Sequence, residues 1–493
     1  MPKRIAIVDI GSNSARIVIY QRTSRFGFHL IKEQKAAIRI SEGSFENGGY
    51  LQESAIKRAV DALQTFKEII KDYKARKTLI IATAAVRNAP NRYQFLKIIR
   101  ERVGLNIKVI DGDKEAYYGA VATKNLLPIK ERTISVDIGG GSTDIALIQN
   151  NSVIDTISLD IGTIKIKELI TDKNLPIAKA TKIINQELSK IPAAFKNANS
   201  VVAIGGVLRT IAKSIMQESG YTFKKIHAFR YNFSEYHKHI ESILNAKSYK
   251  ELENLYIKES RFDTIKEGLI IFKELLTYLN IDRVTTSAVG VREGLFLHDM
   301  LRGSGGKFPK ELNPSIVSIN DRFDMLKIKN STKVKIAKEL FNVVSDVANL
   351  DKKYLKHLID ATKISHIGKT LTIYNEHKHA YYIAVQELNW QYTHKEMLLI
   401  ATIMRSKGDK LIYKPLKKEH KKLLPSKKTL KWLGFIYTVA DILHGYSSTN
   451  SYEFSCKDGI LQIESNNKIP LFFKDIKDLK LPKEFKIELK ISS

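Results

Sequence analysis

The spacing of apolar and polar positions changes period several times along the chain. IAIVDI (5–10) is a continuous apolar run, GSNS (11–14) a polar turn and ARIVIY (15–20) a second apolar run, so residues 5–20 predict a β-hairpin. Over 52–75 the period becomes helical, with Ala55, Ala59, Ala62, Leu63, Phe66, Ile69, Ile70 and Tyr73 on one stripe. TLIIATAAV (78–86) predicts a central strand, 91–103 a helix, IKVI (107–110) a strand and 114–127 a helix. A hairpin followed by alternating helices and strands describes an α/β lobe.

The same order then starts again. TISVDIGGGSTDIALIQ (133–149) predicts a second hairpin and 151–162 a further strand. A helix over 177–196, the strand VVAIGG (201–206), helices over 208–219 and 261–280, and the strand VTTSAV (284–289) follow, with GVREGLFLHDML (290–301) as a closing helix. RGSGGKFP (302–309) is a Gly/Pro boundary. Helical spacing dominates from 313 to about 445, and short alternating segments (YEFSC, GILQIES, IPLFF, FKIELKI) fill 450–493. The expected class is α/β: two duplicated lobes (1–130 and 131–305), an all-α domain (306–449) and a small C-terminal α+β cap (450–493).

The repetition is literal at the two hairpin turns. VDIGSNSARIVI (8–19) and VDIGGGSTDIALI (136–148) share Val-Asp-Ile-Gly, and Ser14 and Ser142, like Ile17 and Ile145, fall in register at an offset of 128 residues. Glycine lets backbone amides approach a ligand, Ser and Thr add hydroxyl donors, and successive amides in such a turn form an anion nest. One nest is a phosphate site; two nests facing each other are a clamp. Asp9 and Asp137 end the leading strands. Carboxylates there repel bare phosphate and make sense beside a divalent cation or a water bound to it. A Gly-rich hairpin also turns without binding anything; the paired copies argue for the clamp. The repeat resembles the actin-like superfamily, in which two duplicated ribonuclease H-like lobes hold phosphates in a cleft.

Charge narrows the choice of ligand. The 493 residues carry a formal net charge of +29, which attracts polyanions with strong salt dependence. Nucleic acid, phosphate polymers, polyphosphorylated nucleotides and anionic membrane all qualify, and a lysine-rich solvated surface is the plain alternative. Ten lysines against Asp409 and Glu419 between Lys407 and Lys431 form the densest basic stretch. It reads either as a solvated face or as a basic wall guiding a long polyanion. No aromatic interleaving marks it as a single-strand nucleic-acid platform, so no specific nucleic acid is expected. No apolar run reaches the roughly 18 residues of a membrane span, and Asp9 interrupts any signal-peptide core. The one cysteine, Cys456, excludes an internal disulfide framework. A cytoplasmic protein with no membrane partner is expected.

A series of segments then makes the resemblance specific. DIGSNSAR (9–16), ATAAVRNAPN (82–91), DGDKEAYYGA (111–120), DIGGGSTD (137–144), AIGGVLRTIA (203–212), RFDTIKEG (261–268) and SAVGVREGL (287–295) resemble, in order and spacing, the motifs of the exopolyphosphatase/guanosine pentaphosphate phosphohydrolase family. The likeness covers about residues 1–305. It implies hydrolysis of a terminal phosphoanhydride by water, with Mg2+ or another divalent cation. The substrates it implies are inorganic polyphosphate, giving orthophosphate, and guanosine pentaphosphate (pppGpp), giving ppGpp; it also implies a homodimer.

By the same resemblance, Glu115 is the general base for the attacking water. Asp137 and Asp144, with Asp9, are the metal-linked acids; Asp144 departs from the glutamate common at its position, is one methylene shorter, and is expected to reach the metal directly or through a bridging water. Phosphate contacts are implied for Ser12, Asn13, Ser14 and Arg16 of the first loop, and for Gly139, Gly140, Gly141, Ser142 and Thr143 of the second. Arg87, and Arg261 at the opening of a helix, are implied phosphate ligands as well. For each arginine a solvated surface charge is the alternative. Gly205 and Gly206 resemble the adenosine-side glycines of the actin-like kinases, but read here as packing a helix against a strand. The helical domain is similar to the HD-like domain of longer members, but His366 is followed by Ile367 and not by a carboxylate, which points to a platform without the HD metal chemistry.

A non-catalytic actin-like sensor of polyphosphate or a nucleotide is the rival from another class. A small-molecule kinase is weaker, because no acceptor motif is visible.

Overall fold

The computed structural model describes residues 3–44, 46–172, 176–324, 331–406, 414–446, 451–467, 470–479, 481 and 485–491. The chain divides into two compact units, Met1–Glu311 and Leu312–Ser493.

In the first unit the strands are β1 (Arg4–Ile10), β2 (Ala15–Arg22), β3 (Phe28–Ala36), β4 (Lys77–Ala82), β5 (Lys108–Val109), β6 (Thr133–Ile138), β7 (Thr143–Gln149), β8 (Ser152–Leu159), β9 (Ser200–Ile204), β10 (Arg230–Asn232) and β11 (Arg283–Thr286). They form two sheets, ordered β3-β2-β1-β4-β5 and β10-β11-β9-β6-β7-β8. In each, a three-stranded antiparallel meander (β1-β2-β3, β6-β7-β8) continues into parallel pairings (β1/β4/β5, β6/β9/β11). The short β10 is added antiparallel at the edge of the second sheet. The topology is therefore written twice, as the hairpin repeat predicts.

Each sheet has its own core. Val8, Ile10, Ile17 and Ile19 pack with Leu63, Phe66, Phe95 and Ile99 in one lobe. Val136, Ile145 and Leu147 pack with Leu208, Ile211, Leu269 and Phe272 in the other. Strands that are apolar throughout are buried on both faces, so β1, β2, β6 and β7 read as runs and not as alternations.

Several boundaries differ from the sequence expectation. The strand at 78–86 ends at Ala82, and Ala84–Arg87 is a short helix. Alanine favours helix, and the Val86 and Arg87 amides both bond to the Thr83 carbonyl. The helix expected over 177–196 spans Ile177–Leu188, and Pro192 starts a separate 3-10 turn, Ala193–Asn197. Arg261 does not open a helix: it ends the 3-10 turn Glu259–Arg261, and the helix begins at Ile265. Strand β3, whose exposed positions blur its period, was not legible.

The second unit contains the helices Pro314–Phe323, Ser331–Ala348, Tyr354–Lys363, Glu376–Glu387, His394–Met404, Lys414–Glu419 and Lys427–Tyr446. A three-stranded sheet follows, β12 (Tyr452–Lys457), β13 (Ile460–Ser465) and β14 (Lys486–Ile491), with the helix Pro470–Lys477 before its last strand. Among the described residues no helix is long and apolar enough to cross a membrane.

Candidate active site

The two hairpin turns have the same internal wiring. The Gly11 amide donates to the Ser14 carbonyl at 3.2 Å, and the Gly139 amide to the Ser142 carbonyl at 2.9 Å. The carbonyls of Ser12 and Asn13 are tied back by the amides of Ser41 and Arg39; those of Gly139 and Gly140 are tied back by Thr163 and Ile164. In a trans peptide the N–H points opposite to its C=O. The N–H groups of Asn13, Ser14, Gly140 and Gly141 therefore lie on the opposite edge, and among the described residues none of the four has a protein acceptor. Unpaired amides of this kind are what an anion nest offers.

The two nests face each other. A Cβ placed on Gly140 would lie 3.3 Å from Ser12 Cβ, and one on Gly141 would lie 3.5 Å from Ala84 Cβ. A cavity of about 150 Å³ lies between the turns, lined by Asp9, Ser12, Glu115, Asp137 and Gly139–Ser142 among others. An adjoining chamber of about 210 Å³ shares Asp9, Asp137, Arg209 and Arg292 and adds Asn13, Ser14, Arg16, Lys35 and Arg261. Most of the residues expected from the sequence thus meet at one place, Glu115 in the cavity, Arg16 and Arg261 with Lys35 in the chamber, and Asp9 and Asp137 on both.

Glu115 comes from the first turn of the helix Gly112–Leu126, whose start is fixed by Asp111: its carboxylate accepts from the Lys114 amide at 2.7 Å. Arg87 Nη1 donates to Glu115 Oε2 at 3.2 Å and to the Ile110 carbonyl at 3.0 Å. Burial, and then the charge of Asp144, hold the Glu115 carboxyl well above the usual carboxylate range, with Arg87 opposing. Burial, reinforced by Asp9 and opposed by Arg209 and Arg292, pushes Asp137 up to about 6. Burial also raises Asp9, against Arg292 and Arg16.

Three expectations need correcting. Thr143 is fully buried and its hydroxyl donates to the Ile161 carbonyl at 2.7 Å, so it holds the hairpin to the next segment and does not reach phosphate. Asp144 does not line the cavity. It is buried behind it, accepting from Ser142 Oγ at 3.0 Å and Ser158 Oγ at 2.5 Å, so any link to a cation runs through a bridging water and not directly. Burial, offset in part by these hydroxyls and reinforced by Asp137, pushes it up to about 7. Arg87 Nη1 donates to both Glu115 and a backbone carbonyl, and Arg87 is absent from both cavity linings.

Gly205 and Gly206 leave room for site side chains, a Cβ on Gly206 coming within 2.3 Å of Arg261 Nη2. Gly205 sits at φ 95°, and a Cβ there would come within 2.5 Å of Asp137 Oδ1. Arg209 and Arg292 went unassigned although both lie in the quoted motifs. Arg209 Nη1 donates to the Ala288 carbonyl at 2.8 Å, and Arg292 Nη1 lies 3.7 Å from Asp9 Oδ2. Their signal was position within AIGGVLRTIA and SAVGVREGL.

The donor set of the cavity is oxygen only. Among the described residues no three His, Cys, Asp or Glu side chains form a closed metal cage. A hard cation that keeps part of its water and binds phosphate oxygens needs only one or two carboxylates, and Asp9 and Asp137 fit that requirement. Raised carboxyls also set a stability signature. Asp137 and Asp144 retain protons in the native state that unfolded carboxylates, near pKa 4, have lost. That stabilisation is fully present below about pH 4, is lost progressively as pH rises toward the folded values of about 6 and 7, and is gone above them. Calorimetry without divalent cation should therefore show Tm falling between about pH 4 and 7, with Mg2+ raising Tm more at the higher pH. Asp137→Asn should flatten both trends; an Mg2+ effect independent of pH would refute the assignment.

Residues 18–303 match the model of the Ppx/GppA phosphatase family. The bifunctional 3-dehydroquinate synthase/phosphatase of Fusobacterium nucleatum is 28% identical over 299 residues, 57% of this chain and 44% of that protein, so this chain spans less than half of that relative's length. Exopolyphosphatase 2 of Mycobacterium tuberculosis is 25% identical over 315 residues, 60% of this chain and 98% of that protein. The crystal structure of the Aquifex aeolicus member of the Ppx/GppA family aligns with a TM-score of 0.54 at 26% identity, over 62% of this chain and 99% of that one. The family match lies wholly within the first unit.

Proposed function

This chain belongs to the Ppx/GppA phosphatase family, and on that premise we propose that it is an exopolyphosphatase, releasing orthophosphate from the ends of inorganic polyphosphate. The observation that carries the reading is the pair of facing amide nests with Glu115 on the wall between them. Phosphoryl transfer asks a protein mainly for positioning, charge neutralisation and an oriented nucleophile.

In this reading the terminal phosphoryl group sits between the nests, bound by the amides of Gly140 and Gly141 and by Ser12. Glu115, oriented by Arg87, accepts the proton of the attacking water. The new P–O bond forms between that water and the terminal phosphorus, the bridging P–O bond breaks with its electron pair going to the bridging oxygen, and orthophosphate and a chain shortened by one unit result. Arg16, Arg209, Arg261 and Arg292 stabilise the following phosphates in the cationic chamber. Mg2+, held through Asp9 and Asp137, would supply further charge neutralisation.

The same chemistry acts on the terminal phosphate of pppGpp, so the deciding experiment measures phosphate release from long polyphosphate and from pppGpp with Mg2+ titrated. Higher kcat/KM on the polymer is expected. Tight binding of polyphosphate with no release would replace the reading with a sensor.

The basic stretch gives a separate prediction. Lys407 and Lys410 lie outside the described residues. Lys417 Nζ donates to the Leu424 carbonyl at 3.0 Å, whereas Lys418, Lys421 and Lys422 are exposed. Changing these three to Gln should weaken binding of long chains about three- to tenfold more than that of short ones, and lower the salt slope. Equal losses at both lengths would make the stretch a solvated face.

A further inference from the structure

The cations of the chamber outnumber its acids: Arg16, Lys35, Arg209, Arg261 and Arg292 stand against Asp9 and Asp137. The excess does not stop at the chamber wall. Arg209 and Lys213 are four residues apart on the helix Gly206–Glu218, so they share one face, about 6 Å apart along the axis. Beside this helix runs the 3-10 turn Glu259–Arg261, preceded by Lys258, whose carbonyl accepts from the Arg261 amide at 2.9 Å. The turn is pressed against the helix start, where the Arg261 guanidinium occupies the space a Gly206 side chain would fill. Arg209 and Arg261 line the chamber, and Lys213 and Lys258 are absent from its lining.

Both lysines are exposed, and neither has an ion pair or hydrogen bond among the described residues. Burial, and then the charges of Lys258 and Arg209, hold the Lys213 ammonium below its usual range, and no carboxylate opposes them. Asp263, the acid that follows the turn, lies 3.7 Å from Lys167. A single surface lysine is ordinary. Cations that repel one another, in a row continuous with a phosphate site, are the footprint of a polyanion.

Continuity also selects the polyanion. The row starts at the chamber beside the amide nests, so its occupant is an extension of whatever chain those nests hold. Adjacent phosphates, each carrying charge, match a row of adjacent cations. A nucleic-acid strand separates its charges by a nucleoside and has no phosphoanhydride end to place between the nests.

The geometry points to a second polyphosphate subsite on the outer face of the helix Gly206–Glu218, where Lys213 and Lys258 hold the chain after it leaves the chamber. This inference rests on the reading that polyphosphate occupies the chamber, and adds to it the path of the distal chain.

The test compares long-chain polyphosphate with tripolyphosphate on the full chain. Binding is measured by calorimetry without divalent cation, and phosphate release with Mg2+. In Lys213→Gln/Lys258→Gln, affinity for the long polymer should fall about three- to tenfold, and the slope of log affinity against log salt should drop by about one to two, as for two lost phosphate contacts. KM for the long polymer should rise with kcat unchanged. Tripolyphosphate, too short to pass beyond the chamber, should bind the variant as it binds the wild type. Lys213→Arg/Lys258→Arg should retain wild-type affinity and slope. Unchanged affinity of the Gln pair for the long polymer would overturn the proposal, and so would an equal loss for tripolyphosphate. Oligouridylate that binds the wild type as tightly as polyphosphate, and loses the same factor in the Gln pair, would overturn it too. Phosphate release separates the two failures. A wild type that binds the polymer and releases nothing refutes the exopolyphosphatase reading alone; normal release with normal binding by the Gln pair refutes the subsite alone.

Discussion

Glu115→Gln should reduce phosphate release from polyphosphate by about 10²–10⁴-fold, the contribution expected of a positioned general base. The amide is isosteric, and its oxygen can still accept the bond now made from Arg87 Nη1. What it cannot do is take a proton from water. Removing the charge also relieves Asp144, whose repulsion is the second cause of the raised Glu115 carboxyl, so the variant should be no less stable than the wild type. Polyphosphate affinity, which rests on the nests and the arginines, should change by less than about threefold, since no phosphate-binding donor is lost. Single-turnover phosphate release gives the first quantity, and calorimetry with polyphosphate the second. Retention of more than a tenth of the wild-type rate would move the base elsewhere in the cavity.

The wild-type rate should also rise with pH, because the base acts only when ionised and burial holds its carboxyl high. That limb should vanish from the residual activity of Glu115→Gln.

The duplicated hairpins were legible because their strands are buried runs and their turns share Val-Asp-Ile-Gly, features carried by local sequence alone. The pairing within them was not. Strand register sets Asp9 opposite Arg16 in one lobe but Asp137 opposite Asp144 in the other, so the two loops are chemically unequal despite their common origin. A hydroxyl in a glycine-rich turn reads as a ligand, yet Thr143 has already entered β7, where its side chain meets the Ile161 carbonyl. Arg209 and Arg292 carry no local pattern of their own. Only the parallel β6/β9 pairing and the placement of the helix Val291–Met300 bring them to the carboxylates.

The second large effect concerns the scaffold and not the chemistry. Gly294→Ala should lower both stability and turnover, although the added group is a single methyl. The helix Val291–Met300 crosses the helix Gly112–Leu126 at backbone contact: a Cβ on Gly294 would lie 1.7 Å from the Tyr118 carbonyl oxygen and 2.5 Å from its carbon. Those atoms belong to a helical main chain and cannot rotate aside, so the two helices must separate. Overpacking of this kind costs about 1–3 kcal/mol, occasionally more. The displacement acts on function because each helix carries part of the site at its first turn, Glu115 on one and Arg292 on the other. Glu293, which accepts from Tyr20 Oη at 2.8 Å and from the Gly290 amide at 2.8 Å, ties the second helix start to β2 and limits how far the strain can relax. A shift of about 1 Å in a catalytic group costs on the order of 10²-fold in rate. Urea unfolding and phosphate release should fall together in Gly294→Ala, while Gly303→Ala, where no atom lies within 4 Å of the added Cβ, should leave both near wild type. Lost stability with full turnover would show that the helix pair does not position Glu115.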